Sequence, residues 1–269
     1  MKSFPCRRRS IQTSLICAAI ASACPAIQAA ENPSGIVAHE PHRPAFKKGA
    51  RLLFIGDSIT DMKWGRNQKD RNHYLGHSYV FLIAARLHTD LPRADLEFFN
   101  RGISGHTVGN LRKRWQKDAI EMKPDILSIL IGVNDVGQAE RAKQQVDLKQ
   151  WEADYRFILD ASRKANPDLK IILLDPFVLP VARLANPTTW NQYHGECVKL
   201  RAIVKKLASD YQAAHITTQK VFDQASQKTQ PDHWIWDGVH PLPQGHELIA
   251  RQWIQTVSEH LKQPSNVDE

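Results

Sequence analysis

A serine lies directly after the first strand-like segment of this sequence, where a reactive side chain could be used. The apolar run 52–55 is short enough for a strand buried on both faces, and Gly56-Asp57-Ser58 follows where the chain must turn out of the sheet. Ligands of open α/β sheets bind at this carboxyl end of the strands. Taken alone, however, the motif favours a simpler interpretation, in which Ser58 caps the next helix.

Three further polar clusters follow strand-like segments. Gly105 lies in the segment 100–107, where glycine would let a backbone N–H approach a ligand closely, although a tight turn explains it as well. Asn134 lies in the segment 132–135 and offers a side-chain amide, but asparagine is also a common turn residue. Asp237 precedes His240 by three residues in the sequence.

Together these residue types meet the needs of acyl transfer. A serine hydroxyl is a weak nucleophile until a histidine such as His240 can take its proton. That histidine needs a carboxylate, here Asp237, to hold its tautomer and to stabilise the imidazolium. The developing oxyanion needs hydrogen-bond donors, which Ser58 N–H, Gly105 N–H and the Asn134 amide could provide. The sequence therefore predicts a nucleophilic serine site.

A metal site is the competing interpretation of the histidines near the C-terminus. Histidine and carboxylate are ordinary zinc ligands. They could come from these residues: His233, Asp237, His240 and His246. That interpretation leaves the serine, the glycine and the asparagine without a role, so we predict a site with no metal and no cofactor. His246 is then expected to support the start of the last helix.

Strand-like and helix-like segments alternate along the chain. Strands are predicted at 52–55, 96–99, 125–131, 170–174 and 215–218. Helices are predicted at 79–87, 108–121, 147–164, 190–214 and 243–261. This alternation predicts an α/β fold with a parallel sheet and helices on both faces. We find no internal repeat and no linker, and expect one domain at 51–262, preceded by an arm at 31–50 and followed by a frayed tail at 263–269.

The first 30 residues are predicted to be a signal peptide. A basic start over residues 2–9 precedes the apolar stretch 11–23, which is too short to span a membrane, and Ala29-Ala30 offers a cleavage site. The leader fits both Sec and twin-arginine export, and a lipoprotein at Cys24 is the less favoured alternative. The mature protein is therefore expected in the periplasm or outside the cell, with no integral membrane span.

Composition excludes some classes of partner. The 36 basic and 28 acidic residues give a net charge of +8, and removal of the leader with its four basic residues leaves +4. This excess is too small to indicate nucleic-acid binding, and no basic run has interleaved aromatic residues. Cys197 is the one cysteine of the four that lies outside the leader. No disulfide within the domain is expected, and Cys197 is predicted to be packed rather than reactive.

The four polar clusters resemble the four sequence blocks of the SGNH, or GDSL, hydrolases. The blocks Gly56–Ile59, the Gly105 loop, Gly132–Asp135 and Asp237–His240 occur in the family's order, and the resemblance covers residues 51 to about 260. It implies a flavodoxin-like three-layer sandwich with a five-stranded parallel sheet. The triad that it implies is Ser58, His240 and Asp237. The implied oxyanion donors are Ser58, Gly105, rather than Gly102, and Asn134.

Within that family the blocks are most similar to those of bacterial acetylxylan esterases and related carbohydrate deacetylases. The resemblance implies a secreted serine esterase that acts on an acetylated carbohydrate. A lysophospholipase-like or thioesterase-like acyl hydrolase is the alternative, and a non-catalytic carbohydrate-binding domain is less favoured. The loops 62–76 and 178–189 are expected to shape substrate choice. Trp64 and Trp236 are candidates for stacking on sugar rings, although core packing explains either as well. No oligomeric state follows from the sequence.

Overall fold

A computed structural model of the protein describes residues 44–262. Of the predicted signal peptide, arm and tail, only residues 44–50 fall within this range. The export signal, the start of the mature chain and the frayed tail lie outside the described residues and stay predictions. No helix within residues 44–262 has the length and apolar character needed to cross a membrane.

Five parallel strands form a sheet in the order β2-β1-β3-β4-β5. The strands are β1 (Arg51–Gly56), β2 (Glu97–Asn100), β3 (Ile126–Leu130), β4 (Lys170–Leu174) and β5 (Ala214–Ile216). All of β3 and nearly all of β1 are buried, as expected of strands covered on both faces. This is the flavodoxin-like order, in which the direction of winding reverses at β1 and β3 and opens a crevice at their carboxyl ends.

Two groups of packed helices flank the sheet. The helices are α1 (Ser58–Asp61), α2 (Tyr79–Asp90), α3 (Val108–Trp115), α4 (Val133–Arg141), α5 (Leu148–Ala165), α6 (Pro187–Asp210), α7 (Thr218–Ser226) and α8 (Pro243–Lys262). Helix α8 packs against α2 and α7, whereas α5 packs against α3 and α6, and α6 against α4. The predicted three-layer α/β fold is therefore confirmed.

Two buried tryptophans donate side-chain hydrogen bonds that join separate elements of the sandwich. Trp253 of α8 is fully buried, and its Nε1 donates a hydrogen bond of 3.0 Å to Ser128 Oγ in the middle of β3. Trp115 of α3 donates in the same way to Ser162 Oγ of α5, at 2.9 Å. Cys197 is buried in α6, as predicted, and burial raises the pKa of its thiol to about 12.

The helix boundaries differ from the predicted ones where a local signal was overlooked. Helix α6 begins at Pro187 rather than 190, because Asn186 Oδ1 accepts hydrogen bonds from Thr188 N and Thr189 N and proline suits the first helical position. It ends at Asp210, and β5 already begins at Ala214.

Three further segments depart from the predicted pattern. The predicted helix at 108–121 changes at Gln116 into a π-helical turn that runs to Ile120. Helix α4 occupies a segment that we expected to start as a loop, because Gly132, with φ of +135°, lets β3 turn straight into a helix. Helix α7 is not predicted by the sequence pattern, and it includes Thr218, the last residue of the predicted strand 215–218.

Gly56 provides a test of how tightly the end of β1 is packed. A Cβ atom there would lie 2.2 Å from Leu130 O and 2.6 Å from Thr60 Oγ1, so Gly56→Ala must displace backbone. We expect it to lower the free energy of unfolding by at least about 1–3 kcal/mol. Gly195→Ala is the matched control, since the new methyl group would meet nothing within 4 Å. In mid-helix it should raise stability by roughly 0.5–1 kcal/mol.

Thermal and urea unfolding of the two variants measure both effects. One kcal/mol corresponds to a shift in Tm of about 2–4 °C for a domain of this size. An equal Tm for Gly56→Ala and the wild type would contradict the close approach of Gly56 to Leu130 and to α1.

Candidate active site

Ser58, His240 and Asp237 form a continuous chain of hydrogen bonds at the carboxyl edge of the sheet. Ser58 Oγ lies 2.8 Å from His240 Nε2, and His240 Nδ1 lies 2.9 Å from Asp237 Oδ2. Because a carboxylate accepts from Nδ1–H, the neutral ring carries its proton there and leaves Nε2 as the acceptor toward the serine hydroxyl. Residues 182 positions apart in the sequence are thus aligned for proton transfer.

The turn that carries Asp237 also fixes the position of its carboxylate. Asp237 Oδ1 accepts hydrogen bonds from Val239 N at 3.0 Å and from His240 N at 2.8 Å. Burial alone would raise the pKa of Asp237, but the bonds from the His240 ring and from the two backbone amides outweigh it. The pKa therefore lies well below its usual range, and the carboxylate stays ionised beside the imidazole.

Ser58 does not cap helix α1, because Asp57 does. Asp57 is the N-cap residue, and its Oδ1 accepts a hydrogen bond of 2.9 Å from Ile59 N. This leaves the Ser58 hydroxyl available to His240, and its N–H belongs to a first helical turn whose amides lack intrahelical acceptors. Burial raises the pKa of Asp57 to about 7, against the lowering effect of the bond from Ile59.

Gly105 and Gly102 play different parts in the loop after β2. The N–H of Gly102 is used, since it donates to Asn100 Oδ1 at 2.8 Å. The N–H of Gly105 has no acceptor among residues 44–262, and φ of +81° favours glycine there. A Cβ at Gly102 would lie 2.3 Å from Asp61 N, whereas one at Gly105 would meet open space. Gly102 thus packs the loop against α1, and Gly105 presents an unused donor.

Asn134 lies in the first turn of α4 and is tied to the Gly105 loop. Its Nδ2 donates one hydrogen bond to His106 O at 3.1 Å, which leaves the second amide hydrogen for another acceptor. The neighbouring Asp135 accepts from Val108 N, with distances of 3.3 and 3.4 Å to its two oxygens. These contacts hold the starts of α3 and α4 together at the sheet edge.

A hydrogen-bond network centred on Asp61 supports the loop that carries Gly105, and the sequence did not indicate it. Asp61 is buried, and its Oδ2 accepts hydrogen bonds from Ser104 N at 2.9 Å, Ser104 Oγ at 2.8 Å and Arg66 Nη2 at 2.7 Å. Burial would raise the pKa of Asp61, but these donors outweigh it and lower the pKa. Asp61 lies two residues after the first family block, and nothing in the sequence shows that its partner is Ser104, the residue before Gly105.

The two tryptophans proposed as sugar platforms lie in different environments. Trp64 is only 9% exposed, its Nε1 donates to Gly102 O at 2.9 Å, and the guanidinium groups of Arg66 and Arg101 lie 4.6 and 5.0 Å from its ring. The ring of Trp64 is therefore covered and supports the loop, which favours the core-packing interpretation of this residue over stacking on substrate. Trp236 is 67% exposed, and its ring centroid lies 6.3 Å from that of His240.

Arg183 is a second residue that the sequence reasoning missed. It lies in the segment 178–189, and it contacts Asp237 through Nε to the backbone oxygen at 3.3 Å and through Nη2 to Oδ2 at 3.4 Å. The segment had been singled out as a region that shapes substrate choice, but no local pattern distinguished this arginine from other surface cations. The loop therefore touches the carboxylate of the hydrogen-bonded chain directly.

The histidines considered as metal ligands are not gathered into a site. Within residues 44–262, no three His, Cys, Asp or Glu side chains are arranged to hold a metal ion. His246 is buried in the first turn of α8, and its Nδ1 accepts a hydrogen bond from Tyr79 N at 3.2 Å. Burial, followed by the charges of His77 and His240, lowers its pKa to about 3. His246 therefore ties the start of α8 to the start of α2.

The five-stranded parallel sheet, with a serine directly after its first strand, defines a class of α/β protein. The model of the GDSL-like lipase/acylhydrolase family matches residues 54–248, and the chain belongs to this family. The protein is accordingly a carboxylic-ester hydrolase.

One relative is similar to this chain over most of its length. The chain is 33% identical over 221 residues to an acetylxylan esterase of Geobacillus stearothermophilus, a match that covers 78% of this chain and 94% of the relative.

Solved structures resemble this one over the same range. A structure from Parabacteroides merdae described as a GDSL-like lipase has a TM-score of 0.75 at 32% identity and covers 82% of this chain and all of its own. A catalytic mutant of Axe2, an acetylxylan esterase from Geobacillus stearothermophilus, has a TM-score of 0.69 at 30% identity and covers 79% of this chain and 95% of its own.

Asp135 predicts a pH dependence of stability. Burial, opposed by the bond from Val108 N–H, raises the pKa of Asp135 from 3.8 to about 7. Between these values the folded state binds the extra proton, so the wild type should lose stability as the pH rises toward 7. Asp135→Asn keeps an oxygen acceptor for Val108 N but cannot ionise. The difference in Tm between this variant and the wild type should therefore increase from pH 4.5 to pH 8.

Thermal melts of both proteins across this range, in a buffer of constant ionic strength, measure the difference. Asp168→Asn removes a carboxylate from the surface and controls for the change in net charge. Parallel curves for the wild type and Asp135→Asn would contradict the buried, proton-binding carboxyl group.

Proposed function

We propose that the protein is a serine esterase that removes short acyl groups, in particular acetyl, from carbohydrates through an acyl-enzyme on Ser58. The observation that carries this proposal is the hydrogen-bonded chain from Ser58 Oγ to His240 to Asp237, with distances of 2.8 and 2.9 Å. A serine hydroxyl with a neutral imidazole as its acceptor, and an ionised carboxylate behind that ring, has the arrangement that nucleophilic catalysis requires.

In the acylation step, His240 Nε2 takes the proton from Ser58 Oγ as the oxygen attacks the ester carbonyl. The carbonyl π electrons move to oxygen, and the N–H groups of Ser58 and Gly105 and the Asn134 amide donate hydrogen bonds to this oxyanion. The protonated His240 then gives its proton to the sugar oxygen as the ester C–O bond breaks. Asp237 stabilises the imidazolium and does not itself take up the proton.

In the deacylation step, His240 Nε2 accepts a proton from water, and the resulting hydroxide attacks the acetyl carbonyl. The same three donors bind the second oxyanion. When it collapses, the bond between the acyl carbon and Ser58 Oγ breaks, the serine recovers its proton from His240, and acetic acid leaves and gives up its proton to the solvent as acetate. Atoms and charges balance without a metal or a redox cofactor.

Two observations support a carbohydrate as the substrate. Trp236 places an exposed indole beside His240, where a sugar carrying the ester could stack on it. Acetylxylan esterases are among the relatives that resemble this chain in sequence and in structure. Arg183 at the edge of the site, with its side chain half exposed, adds a polar contact for a hydroxylated substrate.

Replacement of the nucleophile tests the chemistry. Ser58→Ala should lower kcat for p-nitrophenyl acetate by at least about 10⁴-fold, with Tm close to that of the wild type. A serine-directed fluorophosphonate should label Ser58 alone, which peptide mass spectrometry can show. Ser209→Ala, on the exposed end of α6, is the control and should keep full activity. An active Ser58→Ala, or stoichiometric label on another residue, would refute the mechanism.

Removal of the exposed indole tests the substrate class. Trp236→Ala should raise KM for acetylated xylo-oligosaccharides by about fivefold or more, since stacking on an aromatic ring contributes roughly 1 kcal/mol or more. The KM for p-nitrophenyl acetate, which has no sugar to stack, should change much less. Phe81→Ala on α2 removes another exposed aromatic ring and should leave both values unchanged.

Acyl-chain profiling separates this proposal from its alternatives. Acetyl esters should be hydrolysed faster than butyryl and octanoyl esters. Faster turnover of octanoyl esters would indicate the lysophospholipase-like or thioesterase-like alternative, and binding of glycans without turnover of any ester would indicate a carbohydrate-binding domain.

A further inference from the structure

The guanidinium group of Arg114 lies at the junction of the segments that carry the proposed oxyanion donors. Arg114 is on α3, and its side chain, 12% exposed, extends back toward the start of that helix. Its Nη1 donates to Arg101 O at 2.8 Å, in the loop that leads to Gly105. Its Nη2 donates to Gly56 O at 3.3 Å, in the turn that leads to Ser58.

A third hydrogen bond of Arg114, to His106, connects it to Asn134, the third proposed oxyanion donor. Arg114 Nε donates to His106 Nδ1 at 3.1 Å, and His106 O accepts the hydrogen bond from Asn134 Nδ2 at 3.1 Å. Burial, and next the charge of Arg114, lower the pKa of His106, so the ring is neutral near pH 7 and can accept at Nδ1. One guanidinium is thus connected to the segments that position Ser58, Gly105 and Asn134.

We propose that Arg114 is a positioning residue that sets the relative geometry of the three oxyanion donors, with His106 as its link to Asn134. This inference rests on the proposed esterase function. Arg114 touches neither substrate nor reacting atoms. Its planar group can donate in several directions at once, which a lysine ammonium on a flexible stem does not reproduce.

The placement of the donors matters because they must be in position before charge develops on the carbonyl oxygen. Preorganised donors stabilise the transition state, and the loss of one lowers kcat by about 10²–10³-fold. A displacement of about 1 Å, caused by a residue outside the site, can lower the rate by about 10²-fold. Arg114 is therefore expected to act on kcat and only weakly on KM.

A purely structural role is the competing explanation, because Arg114 Nη1 also forms an ion pair of 2.9 Å with Asp118 one turn further along. That pair would attach the π-helical turn to α3 and would leave the geometry of the donors unaffected. The two explanations differ in what Asp118→Asn does. It removes the charge partner but leaves all three bonds from Arg114 to the loops.

Kinetics of the full chain, normalised to active sites by fluorophosphonate titration, distinguish these roles. Arg114→Gln and Arg114→Lys should lower kcat per titrated site for p-nitrophenyl acetate by about 10–10²-fold, with KM within about threefold. Asp118→Asn should lower kcat per site by less than about threefold. Arg112→Gln is the matched control, since Arg112 is on the same helix but pairs with Asp154, and kcat should not change.

A double-mutant cycle tests the route through His106. If Arg114 acts on Asn134 through the His106 ring, the losses in kcat per site caused by Arg114→Lys and His106→Ala should not multiply. The double variant should then lose little more kcat than the worse of the two single variants. Fully multiplicative losses would overturn the link. An unchanged kcat per site in both Arg114 variants, or an equal loss in Asp118→Asn, would overturn the positioning role.

The wild type and Ser58→Ala are measured alongside. If the wild type does not hydrolyse esters, or Ser58→Ala does, the proposed function fails. If both behave as expected and Arg114→Lys has wild-type kinetics per titrated site, the esterase function stands and this inference alone fails.

Discussion

The close approach of backbone at the end of β1 is the constraint on which the rest of the site depends. No side chain fits at Gly56, where a Cβ would lie 2.2 Å from Leu130 O, or at Gly102, where it would lie 2.3 Å from Asp61 N. Two neighbouring loops can therefore lie directly against the turn that carries Ser58. Gly56 O accepts a hydrogen bond of 3.1 Å from Ile103 N and another from the Arg114 side chain. The short distances between reactive groups follow from this contact between backbones.

Carboxylates of the same type are given different protonation states within this small region. The Asp237 carboxylate accepts hydrogen bonds from two backbone amides and from the imidazole of His240, and these bonds hold its pKa low. Asp57 and Asp135 have fewer donors around their carboxyl groups, and desolvation raises the pKa of each to about 7. The environment, and not the residue type, thus keeps the carboxylate that orients the His240 ring ionised and gives the other two uncharged or partly charged structural roles.

The sequence predicted the elements whose signal is local and missed those whose signal is tertiary. Apolar runs identified all five strands, and β4 was predicted at its observed bounds, 170–174. The order of polar loops, together with the family blocks, brought Ser58, Asp237 and His240 to one edge. Nothing local distinguished the buried Trp64 from the exposed Trp236, because burial depends on what a distant loop packs against. The contacts of Arg114 could likewise not be predicted from the sequence, since its acceptors lie on segments that only the fold brings together.

The exposed indole of Trp236 has a consequence for hydration. A tryptophan that buries about 150–250 Å² when covered leaves much of that area in contact with water here, since it is 67% exposed. At about 25 cal/mol per Å², covering it would release roughly 2–4 kcal/mol, more than a single neutral hydrogen bond contributes. A sugar ring stacked on this surface would displace ordered water and lower the heat capacity of the complex. Under the proposed function, much of the affinity for a bulky leaving group would then come from solvent release beside His240 rather than from polar contacts with the acyl group.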